Sequence, residues 1–142
     1  MDAQKKADAV TARAIGRSLT ISTKHSVEVC NLLRNRSLAH GKDVLRGVLA
    51  MKRSVPMPRY GTEIAHRKGG QRGRFPLTVC ESILGLLDSV EANAQNKGMS
   101  TANLVITHIL ASQGPKVHHY GRWGRTAKRT HVEVVVSERK GK

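Results

Sequence analysis

The side chains best able to do chemistry in this 142-residue chain are gathered late in it, at Lys116, His118, His119 and His131. Imidazole titrates near neutral pH, so these groups could act as general acid and base, as in a ribonuclease. Such a site needs a carboxylate to orient one ring, and residues 114–131 contain no Asp or Glu. The same histidines make a poor metal site, because no Cys or carboxylate accompanies them at ligand spacing. The expectation is therefore no enzyme, no catalytic residue, no metal, no cofactor and no small-molecule substrate. What remains in the segment is cationic. Lys116, Arg122, Arg125, Lys128 and Arg129 lie there, and Lys and Arg are the side chains that hold phosphate.

A second cluster has the same character. Residues 52–74 hold Lys52, Arg53, Arg59, Arg67, Lys68, Arg72 and Arg74, with His66, against the single acid Glu63. The two segments take 12 of the 25 Lys and Arg (7 and 5) but only one of the 10 acids, whereas a solvated surface would mix the signs. All four aromatics, Tyr60, Phe75, Tyr120 and Trp123, sit in or beside them. Rings among arginines can stack on unpaired bases while the guanidinium groups grip phosphates, although Tyr60 and Phe75 could equally staple their loop to the domain. Gly69-Gly70 and Gly73 let the backbone approach a phosphate, and Gly121-Arg122-Trp123-Gly124-Arg125 permits a tight turn with both arginines projecting. With a formal net charge of +15, an anionic partner is the natural counterpart, and structured RNA suits the mixture of cations and rings. The candidate RNA contacts are Lys52, Arg53, Arg59, Tyr60, His66, Arg67, Lys68, Arg72, Arg74, Lys116, His118, His119, Tyr120, Arg122, Trp123, Arg125, Lys128, Arg129 and His131.

These segments need a frame. Ser22 or Thr23 can cap a helix over about 23–34 carrying Val27, Cys30 and Leu33 on one face. A second helix is expected from about Leu38 to Met51, with Val44, Leu45, Val48 and Leu49 sharing a face, weakened by Gly41 and Gly47. The clearest helix opens at Pro76 and runs to about Asn96, with Val79, Ile83, Leu86, Leu87, Val90 and Ala94 at helical spacing and Gly98 as a stop. Glu81, Asp88 and Glu91 make its polar face a poor RNA surface. Leu104–Ala111 and Val132–Ser137 read as strands. Paired as a hairpin centred near Gly121, they set Ile106 opposite Val136 and Leu110 opposite Val132. Ser18–Ile21 could add a short edge strand, while Met1–Gly16 reads as a short helix or a frayed arm without the apolar segment of a secretory signal. No apolar run approaches the length that crosses a membrane. Cys30 and Cys80 stand apart and read as buried thiols in a reducing cytosol.

The fold expected is α+β: three helices on a small antiparallel sheet, with a long protruding C-terminal β-hairpin. It forms one domain over 1–142, with an arm at 1–17, a basic insertion at 52–75 and an extended hairpin at 104–137, its tip near 121–125. The hairpin loop, too long to be held by apolar packing of its own, needs a partner to order it.

With these segments in place, the chain resembles the archaeal and eukaryotic branch of the universal large-subunit ribosomal protein family numbered twenty-two (seventeen in the older eukaryotic naming). The matching stretches are Ile21-Ser22-Thr23-Lys24-His25-Ser26-Val27-Glu28, Ala50-Met51-Lys52-Arg53-Ser54-Val55-Pro56 and His66-Arg67-Lys68-Gly69. Then come Gly73-Arg74-Phe75-Pro76, Val90-Glu91-Ala92-Asn93-Ala94-Gln95, Lys97-Gly98 leading to Leu104-Val105-Ile106, and Thr130-His131-Val132-Glu133-Val134-Val135-Val136. They keep their order over about residues 18–138. The resemblance implies a constituent of the cytoplasmic ribosome that binds large-subunit rRNA near the opening of the peptide exit tunnel. Its hairpin tip, Gly121, Arg122, Trp123, Gly124 and Arg125, would line the tunnel. Its partners would be that rRNA, neighbouring large-subunit proteins and the nascent peptide, with no membrane, and Pro56–Pro76 would be an insertion laid on rRNA. Against the family pattern, the connection from Gly114-Pro115 to Thr130-His131 is short and poor in Arg. A free-standing RNA-binding module outside the ribosome is the alternative.

Overall fold

Thr130, Val132, Val134 and Val136 alternate with half-exposed neighbours and are wholly buried, the period-two pattern of a strand with one face on a core. This strand is the centre of the sheet. In the computed structural model, which describes residues 10–67, 72–121 and 124–139, the elements run in the following order. They are β1 (Thr11–Leu19), α1 (Thr23–Leu33), α2 (Leu38–Leu49), β2 (Val55–Pro56), β3 (Gly73–Arg74), α3 (Leu77–Asn96), β4 (Leu104–Gln113), β5 (Val117–His118), β6 (Thr126–Ala127) and β7 (Thr130–Glu138). The main sheet has the order β1-β7-β4 and is antiparallel throughout; β2-β3 and β5-β6 are two-stranded ladders. The α+β class and the C-terminal strand pair agree with the sequence expectation.

Two details of the sheet differ from it. The register begins as expected, Ile106 opposite Val136, but slips by one so that His108 opposes Val135 and Ile109 opposes Val134. Ile106 and Ile109 are both fully buried although three residues apart. An extra residue in β4 is the only way an alternating strand can point both inward. Beyond this bulge Ala111, not Leu110, opposes Val132, and Leu110 faces Glu133 on the outer side at 46% exposure. The expected pairing of Leu110 with Val132 is therefore wrong by one residue.

The second difference is β1. Thr11–Leu19 is neither a helix nor a frayed arm but a nine-residue edge strand on β7, running from Thr11 opposite Ser137 to Leu19 opposite Thr130. Its inward positions are small, Ala12, Ala14 and Gly16, because α3 packs directly across them; a Cβ at Gly16 would lie 3.0 Å from Leu86. Asn93 of α3 and Lys97 just past its end donate to the carbonyls of Arg13 and Thr11 (3.0 and 2.8 Å), which occupies part of an edge otherwise open to pairing. On the outer face Arg13 meets Glu133 at 2.9 Å.

The helices cover the inner face of the sheet, α1 against β4, α3 against β1 and β7, and α2 against α3. Gly41, a weak helix former, is buried in α2, where a Cβ would come within 3.3 Å of Ile106 and 3.5 Å of Leu33. Its missing side chain lets α2 approach the core closely. Cys30 and Cys80 are buried, and desolvation pushes their thiols up to about 12 and about 11, so both stay protonated at neutral pH. Of the acids on α3, Asp88 and Glu91 both bind Lys42 of α2. Burial pulls the Lys42 ammonium down, and the two carboxylates outweigh it, holding the group charged above its ordinary range. Those acids are thus neutralised locally and kept from the basic segments. No helix among the described residues is long and apolar enough to cross a membrane.

Candidate nucleic-acid interface

The insertion between α2 and α3 is anchored by an acid that composition alone would pass over. Glu28 on α1 is 2% exposed, and its Oε1 accepts the backbone N–H groups of Arg59 and Tyr60 at 2.8 and 3.1 Å. A buried carboxylate receiving two N–H groups fixes that stretch of backbone. The Arg59 and Tyr60 side chains are left outside. The second anchor is the β2-β3 ladder, Val55 opposite Arg74 and Pro56 opposite Gly73, which buries Val55 and presents Arg74. Beyond α2, Met51 adopts φ 58, and the N–H groups of Lys52 and Arg53 both return to the Gly47 carbonyl (3.0 and 3.2 Å), leaving the two side chains exposed.

Within the insertion the expected contact residues divide. Lys52, Arg53, Arg59 and Arg74 project outward. Arg67 donates from Nε to the Gly73 carbonyl at 3.0 Å and lies 5.3 Å over the Phe75 ring, so it braces the loop. Phe75 is half-buried against the core, which bears out its stapling role. Arg72 reaches toward the Gly61 carbonyl and forms an isolated bridge with His66. Tyr60 keeps 39% exposure, with the Lys24 ammonium 5.6 Å from its ring. Lys68 with Gly69-Gly70, and Arg122 with Trp123, lie outside the described residues.

The hairpin leaves the body at Gly114, whose N–H donates to the Arg129 carbonyl at 2.8 Å. Past it, Val117 opposes Ala127, His118 opposes Thr126, and the His119 N–H meets the Arg125 carbonyl at 2.7 Å. Between the Gly114–Arg129 bond and the Val117–Ala127 pair the register slips by one more residue. Lys116, His118, His119, Tyr120, Arg125 and Lys128 are all exposed, and Tyr120 touches no neighbour enough to lose any surface.

Two further candidates turn out to have internal partners. Ser18 adopts φ 52 at the irregularity in β1; its N–H donates to Nδ1 of His131 at 3.0 Å, and its carbonyl accepts from Arg129 at 3.2 Å. One ring nitrogen of His131 is thereby occupied by a backbone N–H. Next to this clamp, the buried Thr130 hydroxyl bonds the Ile21 carbonyl and the Thr23 hydroxyl, both at 2.8 Å. The base of the hairpin is tied to the start of α1.

That tie brings the two basic excursions together. His25, in the first turn of α1, lies in a cleft with Phe75 and Thr78 at the start of α3 and with Lys128 from the hairpin. Burial, then Arg74, then Lys128 lower its pKa from the ordinary histidine value. Arg74 and Lys128 belong to separate segments of the sequence, and His25 is not among the contacts expected from it. The available signal was its position three residues after Ser22, in the first turn of a helix, where a helix start meets incoming anions. Because the folded-state pKa is depressed, the unfolded chain binds the proton more readily, and stability falls as pH drops below about 6.5. Thermal melts between pH 8 and pH 5 should show a smaller acid loss in His25→Gln than in the parent. An unchanged difference would count against this environment.

The fold and this surface define a class of small α+β protein, with helices on one face of an antiparallel sheet and a cationic face ending in a protruding hairpin. Comparison with known families matches residues 14–137 to Ribosomal protein L22p/L17e, and the chain belongs to that family. Among curated proteins it is similar to the large ribosomal subunit protein uL22 of Methanosphaera stadtmanae, 38% identical over 95% of this chain and 94% of that one. It is also similar to the uL22 proteins of Archaeoglobus fulgidus, 36% identical over 90% of this chain and 88% of that one, and of Nanoarchaeum equitans, 41% identical over 91% and 79%.

Proposed function

We propose that the chain is a structural constituent of the large ribosomal subunit, binding large-subunit rRNA through both basic excursions. Its hairpin would enter the rRNA and help to line the peptide exit tunnel. The observation that carries the reading is the meeting of two acid-poor basic segments, distant in sequence, on one side of a fold belonging to this family. Lys52, Arg53, Arg59, Arg74, Lys116, Arg125 and Lys128 are free to neutralise phosphates, while Tyr60, His118, His119 and Tyr120 can stack on or bond to unpaired bases. Lys68, Arg122 and Trp123 belong to the same set by sequence. Arg67, Arg72, Arg129 and His131 hold the two segments in shape, with their remaining donors turned to the rRNA. His66 contributes from the insertion. Neighbouring large-subunit proteins and the nascent peptide at the tip, Gly121–Arg125, complete the partners, in the cytoplasmic ribosome.

Sedimentation of a tagged chain from cell extract tests the reading. It should travel with large subunits and assembled ribosomes and resist moderate salt. Recovery only in slow fractions would overturn it in favour of a free-standing RNA-binding module. A photo-crosslinker at Tyr120 should label rRNA, and stalled nascent chains if the tip reaches the tunnel wall.

A further inference from the structure

The cleft around His25 has a volume of about 440 Å³ and opens between the starts of α1 and α3. Its walls come from three parts of the chain: Ser22 and His25 from the entry and first turn of α1, Phe75 and Thr78 from the end of the insertion and the start of α3, and Lys128 from the hairpin. None of the residues lining it is acidic. Arg74 is the next cation, close enough with Lys128 to act on the His25 ring. His25 and Lys128 line the concavity, and Arg74 immediately precedes Phe75 of its wall, so positive potential gathers there that an anion would offset. The volume is within the range of small-molecule sites, roughly 300–1,000 Å³, enough for a phosphodiester with a flanking ribose. The aromatic Phe75 and the aliphatic Ile21 and Val79 give it an apolar wall suited to a sugar face. Neither helix start carries a side-chain cap, so both first turns add positive potential toward the same opening.

We propose that this cleft holds a single backbone phosphate of large-subunit rRNA, gripped jointly by His25, Arg74 and Lys128. The inference rests on the ribosomal reading and deepens it: the two basic excursions converge on one phosphate at the root of the hairpin, rather than tracking separate stretches of RNA. The lowered His25 pKa agrees: burial, then the neighbouring cations, disfavour the charged ring, and a bound phosphate would offset the cations' share. Placed at the hairpin root, this contact sets the angle at which the arm leaves the domain, before any tip contact forms.

The test is binding of the full chain to a transcript of the whole large-subunit rRNA over a salt series. The parent is compared with Arg74→Gln, Lys128→Gln and the double variant, each checked for native folding by near-ultraviolet circular dichroism. Each single change should lower the slope of log K against log salt by roughly 0.7–0.9. If both cations share one phosphate, the double variant should lose little more slope than either single. A double loss equal to the sum of the singles, or no loss in any variant, would overturn the shared phosphate while leaving rRNA binding intact. A parent chain with no affinity for the transcript would instead overturn the ribosomal reading itself. Titration with inorganic phosphate alone, followed at the His25 ring by NMR, forms the second arm. Saturation by phosphate that the variants abolish, with transcript slopes unchanged, would make the cleft a free-phosphate site and sink the RNA assignment.

Discussion

Replacing Glu28 by Ala is expected to cost about 2–4 kcal/mol of stability and to loosen the insertion loop ahead of the rest of the protein. The carboxylate is 2% exposed and takes the N–H groups of Arg59 and Tyr60 on a single oxygen. Charge-assisted hydrogen bonds contribute roughly 1.5–3 kcal/mol each; release of the buried charge offsets part of their loss. Glu28→Gln keeps an acceptor of the same shape and should lose less. Amide exchange distinguishes the local effect from general weakening: the Arg59 and Tyr60 amides should exchange much faster in Glu28→Ala, while those of Val132–Val136 follow global stability. Equal acceleration at every site, or none at Arg59 and Tyr60, would show that Glu28 does not hold the loop. In the ribosomal setting the variant should also bind rRNA less tightly. Arg59 and Tyr60 would then have to be ordered at the moment of binding, at an entropic cost.

The second large effect separates folding from binding. Exchanging residues 115–128 for an Asn-Gly turn should leave the domain folded, with stability changed by no more than about 1 kcal/mol. The last main-sheet pair is Gln113 with Thr130, and the Gly114–Arg129 hydrogen bond already closes the ladder. Past this point β5 pairs only with β6, and Val117 and Tyr120 lie exposed. The exchange removes Lys116, Arg122, Arg125 and Lys128. With one phosphate for each, the salt slope of rRNA binding should fall by about 3, and affinity at physiological salt should drop by at least tenfold. An unaltered slope would mean that the hairpin makes no phosphate contacts and that the insertion carries the binding. Unfolding of the shortened chain would show instead that the loop supports the core, contrary to its exposure.

Much of the architecture was legible because it follows from short-range patterns. The apolar face of α3, from Val79 to Ala94, repeats at helical spacing, and the β-branched run at Val132–Val136 alternates. Both survive folding to within a residue or two of the expected bounds. The basic segments were legible for a related reason: charge cannot be buried at this density, so Lys and Arg runs free of acids must face outward. β1 was not legible. A strand normally declares itself by bulky residues on its inner face, but Ala12, Ala14 and Gly16 are small because α3 lies against them. That is a fact about a helix some sixty residues away. The bulge in β4 was hidden likewise. Spacing of Ile106 and Ile109 hints at it, yet only the position of Val134 and Val136 on the opposite strand fixes where the extra residue goes.

By itself, then, the amino-acid order determined the class of fold, the three helices, the terminal strand pair, the family likeness and the two segments able to meet an anion. Each of these depends on residues near one another in the chain, or on a sign of charge that no fold can alter. Tertiary structure decided how those segments are used. It enlisted Glu28 as the anchor of Arg59 and Tyr60 and turned Arg129 and His131 inward onto Ser18. It also carried Arg74 and Lys128 to the same histidine. Each such choice joins residues separated by thirty to more than a hundred positions. Whether a cation grips a backbone carbonyl or waits for a phosphate depends on what the fold sets within about 3 Å of it.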